Sequence, residues 1–137
     1  MPSFRKLRAF AGLLTVATMF AACGDDDDES TGPDPDVLLS ANIIFTAGVT
    51  CENGGVSRDF SGTAGKTIAV TASGSATLTP QIILYAPDFE EQLAGSASTG
   101  AGRAALTHTL TQTGTHHLTL CDANGVAGNL SLVVTQQ

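Results

Sequence analysis

Hydrophobic and polar residues alternate with a period of two over much of the chain after residue 36. In residues 66–72 the isoleucine and the valine share one face, and the threonines occupy the other. Residues 103–110 and 115–121 show the same alternation. A period of two is typical of strands with one buried face, so the pattern predicts β-strands and very little helix.

Other segments complete a set of short strands. Residues 81–85 are apolar on both faces, as expected of a central strand, and further strands are predicted at 37–45, 56–60 and 129–135. Turn sequences rich in Gly, Pro and Asn separate these strands, at 53–55, 62–65, 87–88, 113–114 and 124–125. Seven to eight strands in about 100 residues predict an all-β fold, a two-sheet antiparallel sandwich that is jelly-roll-like.

Residues 1–22 have the composition of a bacterial signal peptide. Basic residues at positions 5, 6 and 8 precede a mostly apolar run at 9–22, which would form a helix of about 21 Å, too short to span a bilayer. Residues 20–24, Phe-Ala-Ala-Cys-Gly, resemble the lipobox of bacterial lipoproteins. That resemblance implies cleavage before Cys23 and acylation of its thiol. An ordinary signal peptide that ends near a cysteine is the alternative.

Cys23 and residues 24–36 are predicted to form a lipidated end and an acidic, flexible tether. Residues 24–36 hold 7 of the 13 acidic residues of the chain and no apolar residue to bury, so this disordered segment would stay extended, reaching up to about 45 Å. Two or three acyl chains would anchor the protein stably to a membrane. Because Gly24 rather than Asp follows Cys23, the outer membrane is favoured over the inner membrane.

The charge of the remaining chain, residues 37–137, excludes one class of partner. This segment has three basic residues and six acidic ones, which gives a net charge of −3. Nucleic-acid binding needs clustered Lys and Arg, so no nucleic-acid partner is expected.

Four segments occur in an order that resembles the bacterial pre-peptidase C-terminal (PPC) domain family. They are residues 60–70, residues 83–88 with a Pro-Asp turn, residues 105–118 as a penultimate hairpin, and residues 124–134. The resemblance implies a jelly-roll-like β-sandwich without catalytic activity, of a kind usually appended to secreted enzymes. Some members bind Ca²⁺ or extracellular matrix. This chain differs in having histidines where aromatic residues are common, and two cysteines.

Cys51 and Cys121 are left as an even pair once Cys23 is lipidated. In an oxidising compartment such a pair predicts a structural disulfide, which would tie an early loop to a late strand. Two separate free thiols are the alternative.

Two groups of residues are candidate metal ligands. His108, His116 and His117 would lie on one hairpin and could bind Zn²⁺, although adjacent His116 and His117 must point to opposite faces. The alternative is that His108 and His116 pack in the interior and His117 lies at the surface. The acidic residues at 88, 90 and 91 (Asp88, Glu90 and Glu91) share one loop and are candidate Ca²⁺ ligands, or simply a solvated turn.

No catalytic motif stands out, and no enzyme activity and no cofactor are expected. The sequence therefore predicts a non-catalytic, membrane-anchored surface or periplasmic lipoprotein whose β-sandwich has a binding, adhesion or structural role. Its partner could be a carbohydrate, a protein or matrix. The alternative is a small metal- or ligand-binding protein or enzyme that uses the hairpin of His108, His116 and His117.

Overall fold

The computed structural model describes residues 36–137, and this part of the chain consists of strands, turns and loops without a helix. The strands are β1 (Asp36–Phe45), β2 (Val56–Gly62), β3 (Thr67–Gly74), β4 (Pro80–Tyr85), β5 (Gln92–Ser96), β6 (Ser98–Gly100), β7 (Arg103–Thr109), β8 (Gly114–Asp122) and β9 (Gly128–Gln136). Within the same range no helix exists that is long and apolar enough to cross a membrane. The predicted signal peptide, Cys23 and all but the last residue of the predicted tether lie outside the described residues.

The strands form two antiparallel sheets, which confirms the predicted sandwich. A five-stranded sheet has the order β1-β9-β3-β7-β6, and a four-stranded sheet has the order β2-β8-β4-β5. All paired neighbours are antiparallel. Two short edge strands, β5 and β6, were not predicted, because their sequences QLAGS and STG have small side chains and no clear apolar alternation.

The core lies between the two sheets. It is formed by every second residue of the strands, those on the face that the alternating pattern predicted to be buried. Strand β8 shows this alternation clearly, since Leu118 and Leu120 are fully buried while Thr119 between them is partly exposed. The fully buried aliphatic side chains come from both sheets, and the largest are Ile43, Ile68, Ile82, Leu84, Leu110, Leu118, Leu120, Leu130 and Leu132. Burying one such side chain contributes about 2 kcal/mol, so this layer stabilises the sandwich.

The predicted hairpin of residues 105–118 is wrong. Strand β7 pairs with β3 and β6, whereas β8 pairs with β2 and β4 in the other sheet. The chain crosses between the sheets after β7, where Gly65 N donates to Leu110 O (2.8 Å) and Leu110 N donates to Lys66 O (2.9 Å). Two strands that face each other across a core show the same alternation as two strands of a hairpin, so the pattern alone did not distinguish them.

Candidate binding site

Four residues form a row across the outer face of the four-stranded sheet. The register places Asp59 of β2 opposite His117 of β8, His117 opposite Tyr85 of β4, and Tyr85 opposite Gln92 of β5. The neighbouring residue Leu84 is fully buried in the core, so by alternation this row points away from it. Asp59 and Gln92 are exposed, and His117 and Tyr85 are half-buried.

The turn between β4 and β5 brings one more aromatic ring over this row. Ala86 N donates to Glu91 O and Phe89 N donates to Ala86 O, both at 2.9 Å, which closes the turn. Phe89 has a φ of 63°, in the left-handed region that bulky residues rarely adopt. A backbone of this kind costs on the order of 1 kcal/mol and persists only where surrounding contacts hold it.

Phe89 is held by two aromatic contacts. Its ring stacks on Tyr85 with centroids 4.9 Å apart and an interplanar angle of 18°. It also meets His117 edge to face, with centroids 4.7 Å apart and an angle of 70°. Phe89 nevertheless keeps 47% of its surface exposed. We call Tyr85, Phe89 and His117 the aromatic platform.

Asp59 orients the imidazole of the platform. His117 Nδ1 lies 2.7 Å from Asp59 Oδ1, and the two side chains are 20% and 59% exposed. A carboxylate only accepts hydrogen bonds, so Nδ1 carries the proton of this bond and the ring orientation is fixed. Among residues 36–137 no hydroxyl or thiol group is hydrogen-bonded to His117.

Carboxylates surround the platform. Asp88 and Glu90 flank Phe89 in the turn, Glu91 follows, and all three are exposed. Asp88 Oδ1 accepts a hydrogen bond from Glu90 N (3.1 Å), so part of its capacity is used within the turn. With Asp59, which contacts His117, four of the six acidic residues of 37–137 lie either beside a platform residue or within two positions of Phe89 in the chain. No Lys or Arg within the described residues forms a salt bridge with them.

The other two histidines lie away from the platform. His116 points into the core, is fully buried and stacks on Phe60 (5.6 Å, 20°), with Nδ1 3.2 Å from Gly114 O. Burial lowers the pKa of His116, and the contact with Gly114 O offsets this lowering only in part. The nearby His117 and His108 lower the pKa further. His108 is half-buried on β7, in the opposite sheet.

The three histidines that the sequence offers as zinc ligands do not all share one face. The three imidazoles belong to two sheets, and His116 and His117 point to opposite faces of β8. In residues 36–137 the structure contains no group of three or more His, Cys, Asp or Glu side chains suited to a metal ion. The alternative placement, with His116 in the interior and His117 near the surface, describes these two residues as they are found.

A disulfide lies on the outer face of the four-stranded sheet, at the end away from the turn that contains Phe89. Cys51 and Cys121 are bonded, as predicted, with their Cα atoms 5.0 Å apart and a separation of 70 positions in sequence. Cys121 is paired with Gln81 in the sheet, on the same side as His117 by alternation. The bond therefore holds the loop that contains Cys51 against the outer face of β8, and the face lies between this loop and the platform.

Asp122, next to the disulfide, is a structural residue that the sequence did not single out. It is fully buried, and its carboxylate accepts hydrogen bonds from Thr79 N (2.6 Å), Val126 N (2.9 Å) and Asn124 N (3.0 Å). Burial alone would raise its pKa, but the hydrogen bonds from these backbone amides outweigh burial and lower the pKa of Asp122. The carboxylate thus fixes the turn between β8 and β9.

The platform was missed because none of its signals is strong in the sequence alone. Tyr85 is the one tyrosine of the chain, and Phe89 is an aromatic residue inside an acidic turn. Neither fact alone places the residue at a site, and only the sheet register shows that Tyr85, His117 and Asp59 are neighbours.

Fold and site together define a two-sheet β-sandwich with an exposed aromatic cluster, and comparison with solved structures supports a PPC-like fold. The chain is similar to the pre-peptidase C-terminal domain of a collagenase from Bacillus anthracis, with 12% identity and a TM-score of 0.58, covering 72% of this chain and 90% of that one. It is also similar to PliG of Aeromonas hydrophila, a periplasmic lysozyme inhibitor of g-type lysozyme, with 17% identity and a TM-score of 0.50, covering 76% and 89%.

A third structure, the sugar-binding C-terminal domain of EclA, shares 15% identity over 81% of this chain and 86% of that one. Its TM-score of 0.42 is too low to support a common fold. No protein-family model matches the chain, and no curated protein is significantly similar to it.

Proposed function

We propose that this chain is a non-catalytic binding protein of the bacterial cell envelope, which binds a positively charged segment of a partner protein at the aromatic platform. The exposed ring of Phe89 carries this proposal. It is the one aromatic residue among the large hydrophobic side chains that residues 36–137 leave exposed, and its backbone is held in a costly conformation to present it.

The charges around the platform favour a basic partner. An aromatic face attracts Arg and Lys side chains through cation–π contacts, worth about 1 kcal/mol at an exposed site. The four carboxylates at Asp59, Asp88, Glu90 and Glu91 add attraction for the same cations, and within residues 36–137 no Lys or Arg neutralises them. A neutral sugar would gain stacking on Phe89 but nothing from the net charge.

The fold supports this class of function. PliG, which resembles the chain in fold, is a periplasmic inhibitor of a lysozyme. A protein of similar fold therefore has another protein as its partner. The platform presents an exposed aromatic ring beside an Asp-His pair, an arrangement that suits binding.

The cell-envelope location is supported by the sequence of residues 1–36. A lipobox-like Cys23 after a signal-like segment, followed by an acidic tether, would place the sandwich at the outer membrane, on its periplasmic or surface side. Intact-mass analysis of membrane-extracted protein tests this part alone. A chain that begins at an acylated Cys23 is expected, and an unlipidated chain would contradict the anchor.

Calorimetry with two probes tests the binding proposal. An oligo-arginine peptide is expected to bind, with an affinity that falls as salt rises, and an N-acetylglucosamine oligosaccharide is expected not to bind. Phe89→Ala should weaken peptide binding about fivefold, the equivalent of one cation–π contact. Glu90→Gln should also weaken it, whereas Glu52→Gln, an exposed acid in the disulfide loop, serves as the control and should not.

Two results would contradict the proposal. Binding of the oligosaccharide without the peptide would make the platform a sugar site instead. Peptide binding that Glu52→Gln weakens as much as Glu90→Gln would show that only net charge matters, without a role for the platform.

A further inference from the structure

The edge of the five-stranded sheet carries an inference that is independent of the platform. Strand β1 is the outermost strand of that sheet and, within the described residues, pairs only with β9. Its other edge presents backbone N–H and C=O groups, and among residues 36–137 no loop or side chain is hydrogen-bonded to residues 39–45 outside the strand ladder. Such an edge is a template for a further strand.

Beyond the irregular register between Val37 and Leu39, β1 lacks the features that usually protect a sheet edge. From residue 37 to 45 it reads VLLSANIIF, with no charged residue and no proline. Two of the three large hydrophobic side chains exposed within residues 36–137 lie on this strand, Val37 at 63% and Ile44 at 67%. The exposed apolar surface and the free backbone edge therefore coincide.

The other three edges differ from β1. Strand β2 carries a charged pair, Arg58 and Asp59, in its middle. Strand β5 has five residues, including Gly95, and β6 has three residues and an irregular register. Each of these edges is short or charged, which are the usual means of preventing strand addition. Among the described edges only β1 has a long uncharged stretch, residues 37–45, which follows Asp36 at its start.

We propose that β1 pairs antiparallel with β1 of a second copy of this chain, joining two five-stranded sheets into one. Residues 39–45 are self-complementary when they are centred on Asn42. Leu39 then lies opposite Phe45, and Ala41 opposite Ile43, all on the core side, while Asn42 meets its own copy on the outer side.

Charge favours this two-fold arrangement over other pairings. No acidic residue occurs in the sequence between Asp36 and Glu52, so the segment proposed to pair, residues 39–45, carries no charge of its own. In a parallel pairing in register, the two Asp36 side chains would be neighbours. In the antiparallel pairing they lie about 40 Å apart, at opposite ends of the interface.

Sedimentation equilibrium of residues 24–137, exported so that the disulfide forms, tests the proposal. This segment omits only the predicted signal peptide and Cys23, and it keeps both complete sheets and the whole core. The expected mass at high concentration is twice that of one chain. Asn42→Lys would place two ammonium groups directly opposite each other and should give a monomer.

The control variant is Ser131→Lys. Ser131 is the partner of Asn42 on the next strand, β9, and is equally exposed, but it does not lie at the edge. This variant should remain a dimer. Thermal unfolding of both variants near the wild-type temperature would show that each is folded.

A cross-link distinguishes this register from other modes of association. Opposed residues of an antiparallel pair lie about 4.5–5.5 Å apart at Cα, within reach of a disulfide. Asn42→Cys should therefore form a covalent dimer on non-reducing gels, and Ser131→Cys should not. A wild-type chain that stays monomeric over the whole concentration range would overturn the proposal, as would a dimer that neither forms the Asn42→Cys cross-link nor dissociates with Asn42→Lys.

Discussion

The turn between β8 and β9 depends on the charge of Asp122, and replacing that residue by asparagine tests this directly. The carboxylate accepts three backbone hydrogen bonds, from Thr79, Asn124 and Val126, and is fully buried. In Asp122→Asn the amide nitrogen would face the N–H of Thr79, so that one bond is replaced by two opposed donors. The other two bonds would lose their charge assistance.

The size of the effect follows from this count. A hydrogen bond to a charged group contributes about 1.5–3 kcal/mol, and an unsatisfied buried donor costs a similar amount. The expected loss in free energy of unfolding is roughly 3 kcal/mol, which lowers the melting temperature of a domain of this size by on the order of 15 °C. Asp88→Asn, an exposed residue with one local bond to Glu90 N, is the control and should cost less than about 1 kcal/mol.

The pH dependence gives a second, independent readout. Because the folded-state pKa of Asp122 is lowered, its stabilising contribution is complete above the ordinary Asp pKa of about 3.9 and is lost as the pH falls through the folded-state pKa. Thermal melts of wild type and Asp122→Asn should therefore converge as the solution is acidified below about pH 4. A variant that melts within a few degrees of wild type at neutral pH would refute this account of the turn.

Two further predictions concern the disulfide and the buried histidine. The double variant Cys51→Ser with Cys121→Ser should lose roughly 4 kcal/mol in urea unfolding, because the bond closes a loop of about 70 residues; a loss under about 1 kcal/mol would show that the bond is dispensable. The folded-state pKa of His116 is lowered mainly by burial, so the wild type should lose stability as the pH falls below the ordinary value of 6.5. His116→Leu should lack that loss in chemical denaturation between pH 7 and pH 5, and an unchanged pH profile would show that His116 is not responsible.

The fold was largely predictable because one physical signal dominated it. A sandwich buries one face of each strand, so Ile68 and Val70 of β3, like Leu118 and Leu120 of β8, alternate with small or polar residues that are partly exposed. The same alternation does not indicate which strands pair with each other. It therefore failed at the connection after Leu110, where the chain crosses to the other sheet.

The candidate site was less predictable because it depends on register and on one turn. The disulfide could be inferred from the count of cysteines in an exported chain. The sequence around Asp59 does not indicate that Asp59 lies beside His117. The two residues are 58 positions apart, and only the pairing of β2 with β8 brings them together. Likewise, the position of Phe89 over Tyr85 follows from a left-handed backbone that the sequence APDFEE does not require.

Chemical-shift mapping by NMR tests most directly whether the aromatic platform is the binding surface. The oligo-arginine peptide would be titrated into the isotope-labelled protein while backbone amides and aromatic signals are followed. We expect shifts centred on Phe89, Tyr85 and His117 and on the turn that contains Glu90, with the five-stranded sheet unaffected. Shifts confined to another surface, or spread evenly over all acidic residues, would contradict the proposed site.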